Sequence, residues 1–200
     1  MLSDVLNIIF FAGFIAYITM RAVYEHRAKA KETESRYSDT LDFALLIPVG
    51  IASLLLPVLL LFTDLLSFAD YDIPAYFRWM GLIPLMIALW LFRKSHEDLG
   101  QNWSATLQLK QDHKLVTNGI YRSIRHPMYL AILLWDISQG MILQNWLAGW
   151  AALVTFSVLC LVRVPKEERM MNRHFGNKYK EYLSQSGRIF PRIRAAKKSD

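Results

Sequence analysis

The sequence predicts an all-α integral membrane protein with about five transmembrane helices. Three observations carry this. The apolar residues come in long unbroken runs, each near the length that crosses a bilayer core. The charged residues, 20% of the chain, fall almost entirely between those runs. And 22 of the 23 Lys and Arg collect in every second intervening segment, the pattern of cytoplasmic loops.

The first run, from about Val5 to Met20, predicts a helix near 4–22. No basic stretch precedes it, so a retained span is expected rather than a cleaved signal peptide. Leu41 to Phe62 predicts a second helix over 41–62, with Asp42 at its start. Pro48 and Pro57 interrupt this run, which membrane helices tolerate better than soluble ones. A third helix is expected near 73–92 and a fourth over 127–143, opened by Pro127. Asn145-Trp146 marks a tight turn into a fifth helix over 146–163. The last two runs are short, so they are read as a helical hairpin with polar ends in the interface. The whole chain, 1–200, reads as one membrane-embedded domain whose chemistry lies in 93–192. Arg194 to Asp200 is expected to fray.

Placing the N-terminus outside makes 21–40, 93–126 and 163–200 the inner segments, and leaves Arg78 as the one basic residue on the outer side. Asp64, Asp70 and Asp72 sit in the outer turns. The chain is therefore read as a plasma (inner) membrane protein with its C-terminus in the cytoplasm. The net charge of +6 then reflects anionic lipid and not a nucleic-acid partner. A single cysteine, Cys160, allows no internal disulfide and no cysteine-based metal site, and is expected to be a small buried apolar residue. His96 and His174 lack partners at metal-ligand spacing and are expected on the surface. No metal site is expected, and nothing in the sequence specifies an oligomeric state.

Polar information concentrates in two inner segments. The first, 108–129, contains the turn signal Asn118-Gly119 and then Arg125-His126-Pro127-Met128-Tyr129, with His126 near the cap of the fourth helix. Unpaired N–H groups at such a helix start favour an anion. A basic anchor at the membrane edge is the plainer reading of the same residues. In the second, 163–182, Pro165 predicts the start of a separate cytoplasmic helix, with Glu167 and Glu168 in its first turn. The helix dipole alone favours acids there. Phe175, Tyr179 and Tyr182 recur at helical spacing, which suggests packing of this helix on the membrane face. Glu167 follows Arg163 at i+4, so the two are expected to pair.

Taken together, His113-Lys-Leu-Val116, Gly119-Ile-Tyr121, Arg125-His126-Pro127-Met-Tyr129, Arg163-x-x-x-Glu167-Glu168 and Phe175-Gly176-x-x-Tyr179-x-x-Tyr182 resemble the isoprenylcysteine carboxyl methyltransferases, in the compact layout of their prokaryotic relatives. The resemblance covers roughly residues 93–192. It implies methyl transfer from S-adenosylmethionine to a lipophilic carboxylate, with the bilayer and a lipophilic or prenylated substrate as partners. It also implies that Gln108, His113, Lys114, Leu115, Val116, Tyr121, Arg125, His126, Pro127, Met128 and Tyr129 line the cofactor pocket. Glu167 or Glu168 would hold the cofactor's polar groups, and Arg163 would meet the substrate carboxylate. Arg163, Glu167 and Glu168 are thus the expected catalytic group. Nine glycines are present and no two form a G-x-G, so a Rossmann-type cofactor site is not expected. Met128 stands where eukaryotic members carry a small polar residue, and the extra N-terminal helices of those members have no counterpart.

Two rival readings remain at this point. One is a membrane NADPH-dependent sterol-type reductase, whose similar blocks usually carry Asn at the Met128 position. The other is a non-catalytic scaffold or small transporter, in which only packing residues matter.

Overall fold

The computed structural model describes residues 5–29, 33–36, 39–103, 108–110 and 114–192. Four of its helical stretches are long and apolar enough to cross a membrane, and the shorter apolar helix Pro127–Leu143 makes a fifth. The all-α expectation holds through the membrane. Outside it, β1 (Thr33–Arg36) and β2 (Gln108–Lys110) form a short antiparallel pair.

Helix α1 (Val5–Lys29) runs past its expected end. Its extra turns carry Tyr24, which stacks on His96 at 4.6 Å between ring centroids. The second span, Thr40–Phe62, is continuous but not uniform. Asp39 opens α2 (Thr40–Gly50) with a capping box, its Oδ1 accepting from the Asp42 N–H and the Asp42 carboxylate accepting in return. A π-helical turn over Ile51–Leu55 joins α2 to α3 (Leu56–Phe62), and the Leu56 N–H donates to the Ile51 carbonyl five residues back. Pro57 has no N–H to give the Ser53 carbonyl, and the chain widens by one residue per turn just before it.

The third span is α4 (Ala75–Met80) and α5 (Leu82–Leu99), joined at Gly81. A Cβ on Gly81 would stand 2.9 Å from Ile142 Cγ1, so α5 approaches α6 (Pro127–Leu143) closely there. Gln144 then turns the chain in the left-handed conformation, with φ of 50°. Asn145 fixes the turn: its Oδ1 accepts from the Leu147 and Ala148 N–H groups, and its Nδ2 donates to the Leu66 carbonyl and to Asp70 Oδ1. The expected hairpin is present, pressed together where a Cβ on Gly140 would meet Trp150 at 2.5 Å.

The fifth span is not short. It covers Trp146–Phe175, a π-helical turn over Trp146–Trp150 followed by α7 (Ala151–Phe175). Pro165, expected to begin a new helix, lies inside α7. It deletes one N–H, the donor to the Leu161 carbonyl, without ending the helix, and helices leaving a membrane accommodate that loss. After Gly176, at φ of +56°, α8 (Asn177–Gln185) turns back across the bundle end.

Lipid is as apolar as leucine, so burial of apolar surface does not by itself hold membrane helices together. The side chains sort accordingly. Ile15, Phe62, Leu161 and other large apolar residues point outward. Inside, Ser138 Oγ donates to the Gly81 carbonyl at 2.8 Å, and Gln139 Nε2 donates to the Ala52 and Ala148 carbonyls. Arg78, the basic residue left over by the charge count, donates to the Ile142 carbonyl and to Asn7 Oδ1. These contacts gather the start of α1, the start of α4 and the end of α6 at one end of the bundle. His96, expected on the surface, is fully buried among Tyr24, Phe92 and Trp103, and its Nδ1 lies 2.9 Å from the Phe92 carbonyl. Phe92 comes from the preceding turn of α5, Trp103 from just beyond its end, and Tyr24 from the distant α1. His174 is exposed and Cys160 is buried, both as expected.

Candidate functional site

The opposite end of the bundle brings together the start of α2, the end of α5, the start of α6, the second half of α7, and α8. The chain reaches α6 through a 3-10 turn, Gly119–Arg122, whose Ile120 N–H donates to Asp98 Oδ2 at 2.7 Å. Gly119 adopts φ of +55°, and a Cβ there would fall within 2.1 Å of that carboxylate, so glycine is required at this position. Beyond α8 the chain returns alongside: the Arg125 and His126 N–H groups donate to the Gly187 and Arg188 carbonyls at 2.8 and 3.0 Å. The backbone N–H groups of the two residues just before Pro127 are thus already used within the protein.

The anions at this helix start are the protein's own. His126, 6% exposed, has Nδ1 at 3.5 Å from Glu167 Oε2 and Nε2 at 3.5 Å from Glu168 Oε1. Burial works against protonation of His126, but hydrogen bonding and charge from Glu167 and Glu168 outweigh it and hold its pKa above the ordinary value. Glu168 is gripped further, by Arg125 Nε at 3.0 Å and by Arg188. Arg125 Nη1 also donates to the Leu183 and Ser186 carbonyls, tying α7 to the end of α8. Lys166 Nζ bridges to Asp39 at 2.7 Å and Asp42 at 3.2 Å, tying α7 to α2.

Next to this cluster opens a cavity of about 390 Å³. Its polar end is formed by Arg163, Glu167, His126 and Lys114, and its apolar end by Leu46, Val49, Ile132, Phe156 and Leu159. On α7 the lining residues Phe156, Leu159, Arg163, Glu167 and Met171 form one helical stripe. Arg163 is buried, and acts electrostatically on Glu167 one turn further on.

Of the residues read from sequence, Lys114, Leu115, Val116, Tyr121, Arg125, His126, Pro127, Met128, Tyr129, Arg163 and Glu167 all line this cavity. Glu168 does not join them. It stands behind His126, within the ion-pair cluster, because Arg125 and Arg188 draw it away. The backbone of Gln108 belongs to β2, while its side chain and His113 lie outside the described residues. Tyr179 and Tyr182, read as packing on the membrane face, are buried cavity residues, and Tyr182 Oη donates to the Tyr121 carbonyl at 2.6 Å. Burial pushes the Tyr182 hydroxyl up to about 12, so it remains a donor. Sequence reasoning passed over Trp103, whose Nε1 lies 3.1 Å from Met128 Sδ, and the membrane-side residues Tyr17, Arg21 and Ser53; Asp136, evident in the sequence as an acid inside the fourth apolar run, lines the cavity with them.

Residues 76–173 match the family model described as the isoprenylcysteine carboxyl methyltransferase (ICMT) family. A protein-S-isoprenylcysteine O-methyltransferase from Dictyostelium discoideum is 32% identical over 59% of this chain and 54% of its own length. Protein-S-isoprenylcysteine O-methyltransferase A of Arabidopsis thaliana is 27% identical over 65% of this chain and 67% of its own. The chain therefore spans about half to two thirds of the length of these relatives. The solved structure of the eukaryotic intramembrane Ras methyltransferase ICMT shares the fold, with a TM-score of 0.58 at 22% identity, over 93% of this chain and 67% of that one.

Proposed function

The chain belongs to the isoprenylcysteine carboxyl methyltransferase family, and from that premise we propose that it is an S-adenosylmethionine-dependent methyltransferase acting on the carboxylate of an isoprenylcysteine-like or other lipophilic acceptor at the membrane interface. The observation that carries this reading is the single cavity in which buried Arg163 and half-buried Glu167 meet an apolar passage between α2, α6 and α7. A water-soluble cofactor and a lipid-borne acid need such a junction.

The residues fit the cofactor. S-adenosylmethionine carries an amino group, hydroxyls and a positive sulfur. Glu167 Oε2, buried and without a full hydrogen bond among the described residues, offers an acceptor for such groups. Tyr121, Tyr179 and Tyr182 supply aromatic walls, and Lys114 with His126 complements a carboxylate. When bound, the cofactor supplies an electrophilic methyl on a sulfonium, so a carboxylate oxygen gains the methyl while sulfur keeps the bonding pair and the two opposite charges cancel. Arg163 would hold the acceptor carboxylate through two parallel N–H donors and aim one oxygen. No strong general base is needed, because a carboxylate is ionised at neutral pH. Orientation is then the main contribution of the protein, worth several kcal/mol, on the order of 7–11 at best.

The test is to titrate the detergent-solubilised chain with S-adenosylhomocysteine and with NADPH, and to follow methyl transfer to a prenylcysteine acceptor. Saturable binding of S-adenosylhomocysteine is expected. Binding of NADPH in its place would overturn the reading in favour of a reductase.

A further inference from the structure

The apolar passage contains two polar groups that the proposed reaction does not use. Asp136 on α6 is 0% exposed, and neither of its carboxyl oxygens has a hydrogen-bond partner among the described residues. Ser53 Oγ, in the π-helical turn of the second span, is buried and unpartnered in the same way. Both line the cavity that holds Arg163. Asp136 follows Tyr129 and Ile132 along the lining face of α6, ten residues beyond His126, which places it about 15 Å deeper along the helix axis. Around Asp136 and Ser53 the wall is mainly apolar, with Leu46, Val49, Ile132, Phe156 and Leu159, and Tyr17 and Arg21 of α1 line the same cavity.

A carboxyl group left without partners in such surroundings is costly unless something entering the cavity supplies them. The π turn sharpens the point. It delivers Ser53 from the second span to the cavity that Asp136 faces from α6, and π turns within longer helices often mark functional positions. An all-hydrocarbon tail would leave both groups unsatisfied. A tail carrying one O–H at that depth would satisfy Asp136 as acceptor, in either of its protonation states, with the Ser53 hydroxyl available to the same oxygen.

We propose that Asp136, assisted by Ser53, is a specificity-determining site for a lipophilic carboxylic acid that carries a hydroxyl partway along its chain. The carboxylate end of this ligand rests on the function proposed above, while the hydroxyl end rests on the cavity alone.

The test measures binding of two probes to the full chain in detergent micelles: stearate, and a stearate with a mid-chain hydroxyl. The wild type is expected to bind the hydroxylated acid about tenfold more tightly. Asp136→Ala should abolish this preference and Asp136→Asn should retain it, since an amide still offers an acceptor. Ser53→Ala should reduce it, and serves as the second variant where Asp136→Ala does not fold. S-adenosylhomocysteine affinity should be unchanged in all three variants. Equal binding of the two acids by the wild type, binding of neither, or a preference untouched by Asp136→Ala would each overturn the proposal. A retained hydroxyl preference in a protein that neither binds S-adenosylhomocysteine nor transfers methyl groups would instead remove the methyltransferase reading and leave this site standing. Methylation of a plain prenylcysteine with no hydroxyl preference would do the reverse.

Discussion

Nδ1 of His126 lies 3.5 Å from Oε2 of Glu167, and the other ring nitrogen lies 3.5 Å from Glu168. The imidazole thus separates two carboxylates that would otherwise face each other in a buried site, and this gives the bundle end a pH dependence. His126 has a folded pKa above its unfolded value of about 6.5. Its stabilising contribution is therefore fully present below about pH 6.5 and is lost as pH rises through the folded pKa. His126→Gln should cost about 2 kcal/mol in mildly acidic buffer, a figure reduced for the partial exposure of Glu167. The gap in Tm between wild type and variant should narrow as pH is raised. A gap that widens with pH would contradict this pairing.

The two glutamates should separate experimentally. Glu168→Gln weakens the anchor for Arg125 and Arg188, so a lower Tm is expected with S-adenosylhomocysteine affinity changed by less than about threefold. Glu167→Gln alters a cavity-lining group, so at least a roughly tenfold loss of affinity is expected. Titration of both variants beside thermal unfolding decides between them. The reverse pattern would return the cofactor contact to Glu168.

Arg163→Lys preserves charge and loses the planar two-pronged grip. We expect near-normal S-adenosylmethionine affinity and methyl transfer slower by about 10- to 100-fold at saturating cofactor. A side chain that merely extends its charge to the headgroups would be replaced by lysine without loss. Wild-type turnover by the variant would assign Arg163 that role.

Packing of the hairpin can be tested apart from chemistry. Gly140→Ala places a methyl group against the Trp150 ring and should destabilise by about 1–3 kcal/mol. Gly50→Ala has nothing within 4 Å to meet and should be neutral or slightly stabilising, by at most about 1 kcal/mol. Thermal unfolding of both in the same detergent gives the comparison.

Orientation follows from the charge pattern. A reporter fused after Asp200 should be cytoplasmic, and one inserted near Asp70 external. Asp70 pairs with Asn145 at the bundle end that also holds Asn7, so the start of α1 should share its side. Cytoplasmic protection of the Asp70 turn would reverse the placement of the site.

The spans were legible because a bilayer imposes length and polarity on every segment that crosses it, and a run such as Leu41–Phe62 has few other interpretations. The start of α6 was legible from Pro127, and its cavity residues from the motif around it. What stayed hidden depends on contacts between distant segments. His96 reads as an ordinary histidine near a helix end until Tyr24 and Trp103 close over it. Pro165 carries the same local signal whether it starts a helix or merely weakens one, and the packing of α7 decides. Tyr179 and Tyr182 show helical spacing in either role, and only the return of α8 across the bundle end makes them part of a cavity wall. Asp136 was visible as an acid in an apolar run, but nothing local pointed to Ser53 across from it.

The continuity of α7 has a consequence for how this protein can vary in length. Phe156 deep in the passage and Arg163 and Glu167 at its mouth share one stripe of a single unbroken helix. Adding or removing one residue between them would rotate everything beyond by about 100°, since a helix makes a turn every 3.6 residues. The mouth of the cavity would then present neighbours such as Lys166 or Glu168 where Glu167 now stands. Surface turns such as 63–72 can absorb insertions without disturbing the site, whereas the interval from Phe156 to Glu167 is held to a fixed count by the geometry of the screw. Homologues that differ in total length should therefore show their gaps elsewhere.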